Sequence, residues 1–224
     1  QDDQIRLIKN ICKSENIDVK KISPNFILSK IDKWKNKGYY PDSVKLTNKD
    51  PLEKGILKIY KIYNSKLLDL NVCDFGDLIL YCVKIFEKNT DIKEIYSNNF
   101  QYILVDEYQD TNHIQYLIIK KLAALNENIS VVGDDARSIY SFRGADIQNI
   151  LNFKIDYPDC TIYKLEQNYR STQNIVNIAN NLIKKNTKQI EKDIWTNNEK
   201  GDSINLCKTS TDNDEGRLVA NTVK

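Results

Sequence analysis

YILVDEYQDTN, residues 102–112, is a short apolar run that ends in two acids, Asp106 and Glu107. Four consecutive apolar or aromatic residues suit a buried parallel strand at 102–106. Ligands of open α/β sheets gather at the carboxyl ends of such strands, so the two acids are expected to face a site rather than the core. One carboxylate there can hold the Mg²⁺ that bridges nucleotide phosphates, and its neighbour can take a proton from an attacking water. The fragment alone is equally compatible with a strand running into a polar turn and a capped helix.

The neighbouring periods point to a sheet. Residues 113–125 carry Ile114, Leu117, Ile118 and Leu122 at helical spacing, and further strands are expected at 129–133, 161–165 and 204–207. Helices are expected from near Ile147, after a cap at Ser171 or Thr172, and over 215–223. Such alternation indicates a parallel sheet with helices on its faces. Upstream, residues 1–98 read as helices. Ile5, Leu7, Ile8, Ile11 and Cys12 form one apolar face. Ser23 caps the next helix, Pro24 opens it and Gly38 ends it. Phe26, Ile27, Ile31 and Trp34 line one side of that helix. Its lysines (Lys30, Lys33, Lys35, Lys37) match the dipole of a solvated helix end, or touch a DNA backbone beside Trp34, Tyr39 and Tyr40. Pro51 opens a helix with Leu52, Ile56, Leu57, Tyr60, Tyr63 and Leu67 apolar. Asp74 caps another, with Phe75, Leu78, Ile79, Cys82, Ile85 and Phe86 expected inward.

Three strings follow one another: 106–112 (DEYQDTN), 133–145 (GDDARSIYSFRGA) and 165–172 (LEQNYRST). In the second, Tyr140, Phe142 and Arg143 cluster in a loop after a strand. Unpaired bases can stack on such rings without sequence preference, and an arginine can meet a phosphate. Packing of the rings beneath the loop is the alternative.

In this order the strings resemble the UvrD/Rep/PcrA group of superfamily 1 DNA helicases, over essentially the whole chain. The resemblance implies a partial RecA-like P-loop NTPase fold, α/β, with a parallel sheet and helices on both faces, preceded by an all-α accessory subdomain. Residues 1–98 would be that subdomain, 99–172 the latter half of the first motor domain, and 173–224 the start of the second. It implies ATP and Mg²⁺ as cofactors, with Asp106 on the metal and Glu107 activating the lytic water. Tyr169 would stack on adenine, and Arg170 would reach the γ-phosphate as an arginine finger. Gln109 is counted with the nucleotide-binding residues. The neighbouring Asp110 has a less defined role and is equally suited to capping a helix. Tyr140, Phe142 and Arg143 would contact DNA. The expected partners are single-stranded DNA and its junctions with duplex, with 3′→5′ movement, in repair or replication in the cytoplasm. The segment beginning at Asp74 and Asp77 would be architectural.

Two departures stand out. Ala136 and Arg137 replace the family's usual Asp-Gln; that glutamine senses the terminal phosphate, whereas Arg137 cannot accept a hydrogen bond. None of the seven glycines is followed by lysine, so the phosphate-cradling Gly-x-x-x-x-Gly-Lys-Ser/Thr loop does not occur within residues 1–224. The resemblance places that loop upstream of Gln1. A chain without Met that starts at Gln1 is expected to be a piece of a longer protein. Two other readings stay open: a non-catalytic DNA-binding or docking module, and part of a helicase–nuclease.

Composition sets outer limits. Hydrophobic residues at 41% suffice for a core, while 29% charged residues and a mean hydropathy of −0.54 favour a water-exposed surface. No apolar run approaches the ~20 residues needed to span a bilayer. A net charge of +2 makes any nucleic-acid surface local rather than global. The single histidine, His113, excludes a catalytic triad or multi-histidine metal site. The five scattered cysteines, with Cys73, Cys82 and Cys207 inside apolar patterns, are expected to be small buried thiols.

Overall fold

Helix α1 (Asp2–Ser14), α2 (Pro24–Asn36) and α3 (Pro51–Asp69) each turn one apolar face to the others. Ile8, Ile11 and Cys12 of α1, Ile27, Leu28 and Ile31 of α2, and Ile56, Ile59, Tyr60, Tyr63 and Leu67 of α3 form their common core. Each buried isoleucine stabilises this bundle by roughly 1.5–3 kcal/mol relative to exposure. The ends of α2 follow from its sequence. Ser23 Oγ accepts from the Phe26 amide at 3.2 Å, Pro24 opens the first turn, and Gly38 closes the last at φ +80°. The Gly38 and Tyr39 amides donate back to the Lys35 and Trp34 carbonyls at 2.8 and 2.9 Å. This paired closure needs a left-handed residue after the helix, which glycine adopts without steric cost.

The computed structural model describes residues 2–17, 22–46, 50–187 and 189–223. The chain divides into two compact units, one up to Asp159 and one from Cys160. In the first, α4 (Phe75–Lys88) packs on α2, on α5 (Thr90–Asn99) and on α6 (His113–Ala123). Strand β1 (Ile103–Val105) pairs in parallel with β2 (Ile129–Val131), Ile103 opposite Ile129 and Val105 opposite Val131. Helix α6 forms the crossover between them. Two short helices, α7 (Gln148–Leu151) and α8 (Phe153–Asp156), complete the unit. The second unit holds α9 (Gln173–Ile183) and α10 (Asp212–Val223).

Four expectations need correction. Residues 161–165 and 204–207 are not strands. Among the described residues the second unit has a single bridge, Gln167 to Trp195, and a strand without a partner leaves its backbone groups unpaired. The inward face of α4 is also different. Leu80, Val83 and Asp77 are buried, whereas Phe75, at 86% exposure, and Leu78 and Ile85 face out. In FGDLILYCVKIF the polar Asp77 and Lys84 share one face, so periodicity alone turns Asp77 outward; its ion pair with Lys35 turns that face inward instead.

That charge is met by Lys35, the third correction. Lys35 is only 1% exposed, not a solvated helix end, and its Nζ lies 2.7 Å from Asp74 Oδ2 and 2.7 Å from Asp77 Oδ1. Asp74 and Asp77 also cap α4 reciprocally, each accepting from the other's amide, and the Tyr63 hydroxyl donates to Asp74 Oδ2 at 2.9 Å. Burial alone would raise the Asp74 carboxyl, but the Lys35 ammonium holds it below the ordinary range. Asp77 is pushed up by burial, and by the Asp74 charge, against the pull of Lys35. Finally, only Cys12 is buried; Cys73, Cys82 and Cys207 are exposed and Cys160 is half-buried.

Candidate functional site

The β1 strand delivers Asp106 and Glu107 at its carboxyl end, and both are exposed. Asp106 Oδ1 accepts from the Glu107 amide at 2.8 Å, which turns the chain immediately after the strand. Glu107 itself takes the left-handed conformation, φ 48° and ψ 44°. That costs a non-glycine residue about 1–2 kcal/mol, so the surrounding contacts must hold it. Two backbone bonds do part of this: the Val132 amide donates to Val105 O at 2.8 Å and the Tyr108 amide to Val132 O at 2.9 Å. A third contact comes from Gln109, which sits in the 3₁₀ turn Tyr108–Asp110. It is 1% exposed, and its amide donates to Glu107 Oε2 at 2.8 Å and to Asp110 Oδ2 at 3.2 Å. Gln109 is therefore enclosed within the turn. Asp110 faces the same amide rather than capping α6. Asn112 caps that helix in a reciprocal pair with Gln115.

The segment after β2 lies beside this turn. Asp134 Oδ1 caps the 3₁₀ turn Asp135–Arg137 by accepting from the Ala136 amide at 3.1 Å. Arg137 is exposed, its Nη1 3.9 Å from Glu107 Oε1. An exposed pair at that distance is worth ~1 kcal/mol at most.

Next comes the turn Ser141–Arg143, with Tyr140 before it. Phe142 is 72% exposed, and its ring centroid is 5.9 Å from that of Tyr140. The Arg143 guanidinium stands 5.2 Å over the Tyr140 ring and 5.5 Å over that of Phe142. These side chains are displayed rather than packed beneath the loop. The loop is anchored from behind by Asn36 of α2, whose Nδ2 donates to the Arg143 carbonyl at 3.4 Å. Asn112 donates to Asn36 Oδ1 in turn, at 3.2 Å. A cleft of about 650 Å³ opens between the loop and α2, lined by Phe142, Arg143, Asp32, Lys33, Asn36 and Phe75. Burial pushes Asp32 up to about 6, helped by the nearby Asp74 charge and opposed by Lys35.

In the second unit, Tyr169 and Arg170 protrude from a turn fixed by their neighbours. Asn168 Oδ1 accepts from the Arg170 and Ser171 amides at 2.9 and 2.7 Å, and Asn198 donates to the Tyr169 and Ser171 carbonyls. Tyr169 is 78% exposed and donates from its hydroxyl to Gln167 Oε1 at 2.7 Å. An exposed ring beside an exposed guanidinium can stack on a base and meet an anion.

The profile of the UvrD/REP helicase N-terminal domain matches residues 1–158, and that of the UvrD-like helicase C-terminal domain matches residues 163–224. The chain belongs to the UvrD-type helicase family. A probable DNA helicase II homolog of Rickettsia conorii is 44% identical over 220 residues, covering 98% of this chain and 34% of the relative. The ATP-dependent DNA helicases PcrA of Staphylococcus epidermidis and Bacillus subtilis are 44% and 42% identical, each over 97% of this chain and 30% of the relative. The chain thus spans about a third of the length of these curated relatives. Among the UvrD-type features, the acid pair and the aromatic–basic loop were legible in sequence. The enclosure of Gln109, the Asn36 anchor and the Lys35 cluster were not. For Lys35 the available signal was Asp74 and Asp77, two acids at helix-start spacing with apolar neighbours.

Proposed function

We propose that this chain is part of an ATP-dependent 3′→5′ DNA helicase, which couples ATP hydrolysis to movement along single-stranded DNA in repair or replication in the cytoplasm. One observation carries the reading. An exposed acid pair ends one parallel strand, and the segment after the adjacent strand meets that pair through Arg137 and goes on to display Tyr140, Phe142 and Arg143. The residues fit a magnesium nucleotide. Asp106 is exposed with one oxygen engaged by its own turn, and Mg²⁺ typically takes one or two carboxylates together with phosphate oxygens and waters. When bound, the ion would neutralise charge on the phosphates. Asp106 would hold it, Glu107 would accept the proton of the attacking water, Tyr169 would stack on adenine, and Arg170 would reach the γ-phosphate. Tyr140 and Phe142 would stack on unpaired bases, and Arg143 would meet the backbone of single-stranded DNA or a junction.

The test is Phe142→Ala in the full-length protein that carries these residues. Single-stranded DNA binding should weaken by roughly 1–3 kcal/mol, with ATP binding in the absence of DNA nearly unchanged. Equal loss of both affinities would make Phe142 a packing residue and remove the DNA-contact assignment.

A further inference from the structure

We propose that Gln109 is the positioning residue for the Glu107 carboxylate, with Gly133 as its seat. This rests on the reading of Glu107 as the group that receives the water's proton. The Asp134 amide points at Gln109 Oε1 at 3.0 Å, and a backbone N–H can only donate. The oxygen of the side chain is thereby fixed on that side, and the NH₂ end must face Glu107 Oε2 and Asp110 Oδ2. Being buried, the amide has no solvent to turn into. One carboxylate oxygen of Glu107 is then held by a neutral donor, while Oε1 faces outward toward Arg137. A base held this way presents one oxygen in one place, which is what proton transfer to a positioned group requires.

Gly133 supplies the second, independent observation. A Cβ there would lie 2.5 Å from Gln109 Oε1, 2.9 Å from Ile150 Cδ1 and 3.3 Å from the Gln109 backbone nitrogen. The first distance is shorter than any real contact, so a side chain at 133 must displace the Gln109 amide. The Gln109 carbonyl also accepts from Ser138 Oγ at 3.3 Å, at the entry to the aromatic loop. Gln109 therefore touches the acid turn through its NH₂ and the segment after β2 through both of its oxygens. A shift of that segment reaches Glu107 through a single side chain.

The experiment uses the full-length helicase. Gln109→Glu keeps the oxygen that meets the Asp134 amide but sets a carboxylate oxygen against Glu107 and Asp110. It should lower kcat of DNA-stimulated ATP hydrolysis by about 10–100-fold, leaving KM for ATP and the affinity for single-stranded DNA within about twofold. Gly133→Ala should give a kcat loss of the same order while Gln109 is present. Added to Gln109→Ala it should cost clearly less than it does alone, because the 2.5 Å clash with the side-chain amide is gone and only the flexible Ile150 Cδ1 and the residue-109 backbone nitrogen stay close. Exchange of the Asp134 amide with deuterium should quicken in Gln109→Ala, with the amides pairing β1 and β2 unchanged. An unaltered kcat in Gln109→Glu, a rise in KM that accounts for the whole loss, or additive effects of the 109 and 133 changes would each overturn the positioning role. Wild-type protein that turned over no ATP would overturn the proposed function itself.

Discussion

Replacing Lys35 with Met should destabilise the first unit by about 3–5 kcal/mol, because it strands two buried carboxylates that share one ammonium. Lys33→Met on the exposed side of the same helix should stay within ~0.5 kcal/mol. Urea unfolding of the two variants separates a structural ion cluster from a solvated helix end; equal, small effects would mean that water reaches Lys35. Arg137 poses the opposite case, an exposed side chain beside the acid pair. Its guanidinium faces Glu107 Oε1 at 3.9 Å and offers donors only. Arg137→Gln should raise DNA-stimulated ATP hydrolysis in the full-length protein, by up to roughly tenfold for ~1.4 kcal/mol of barrier. A fall would show that the arginine makes a phosphate contact of its own.

At the scale of elements, α2 does two jobs with one sequence. Ile27, Leu28 and Ile31 bury against α1 and α3, while Lys35 and Asn36 reach α4 and the aromatic loop. Asp32, on the same helix, lies partly buried near the two carboxylates of the ion cluster. Its pKa is raised to about 6 from the usual aspartate value of about 4. A raised carboxylate pKa means the folded state holds the proton more tightly than the unfolded chain. Its stability contribution is therefore greatest below pH ~4 and is lost as pH climbs to about 6. Asp32→Asn should raise Tm at pH 8 and leave it nearly unchanged at pH 4. The same shift in Tm at both values would exclude an ionisation effect.

For the whole molecule, the candidate residues fall in both units: Asp106, Glu107 and the aromatic loop belong to the first, Tyr169 and Arg170 to the second. The sequence of residues 1–224 contains no phosphate-binding Gly-Lys-Ser/Thr loop. Phosphoryl transfer depends mostly on positioning and charge stabilisation. The 224-residue chain by itself should therefore release no phosphate from ATP above background, with or without single-stranded DNA. Turnover that vanished in Asp106→Ala would reveal a phosphate cradle of another kind. No described helix is long and apolar enough to cross a membrane. Leu104 and Val132 leave apolar surface at the small sheet.

The sequence by itself determined the local facts. Ser23, Pro24 and Gly38 bound α2, Asp74 caps α4, and an apolar strand ends in Asp106-Glu107; each follows from a side chain acting on its own backbone or from a short-range period. The family likewise was legible, because three long strings in fixed order carry it. Tertiary structure alone decided which face of α4 is buried, since the helical period turns Asp77 outward with Lys84 and the ion pair with Lys35, 42 positions away, turns it in. It also decided that residues 161–165 and 204–207 form no ladder, because a strand exists only with a partner. And it enclosed Gln109 between Glu107 and Asp134, a contact between positions 25 residues apart that no local period encodes.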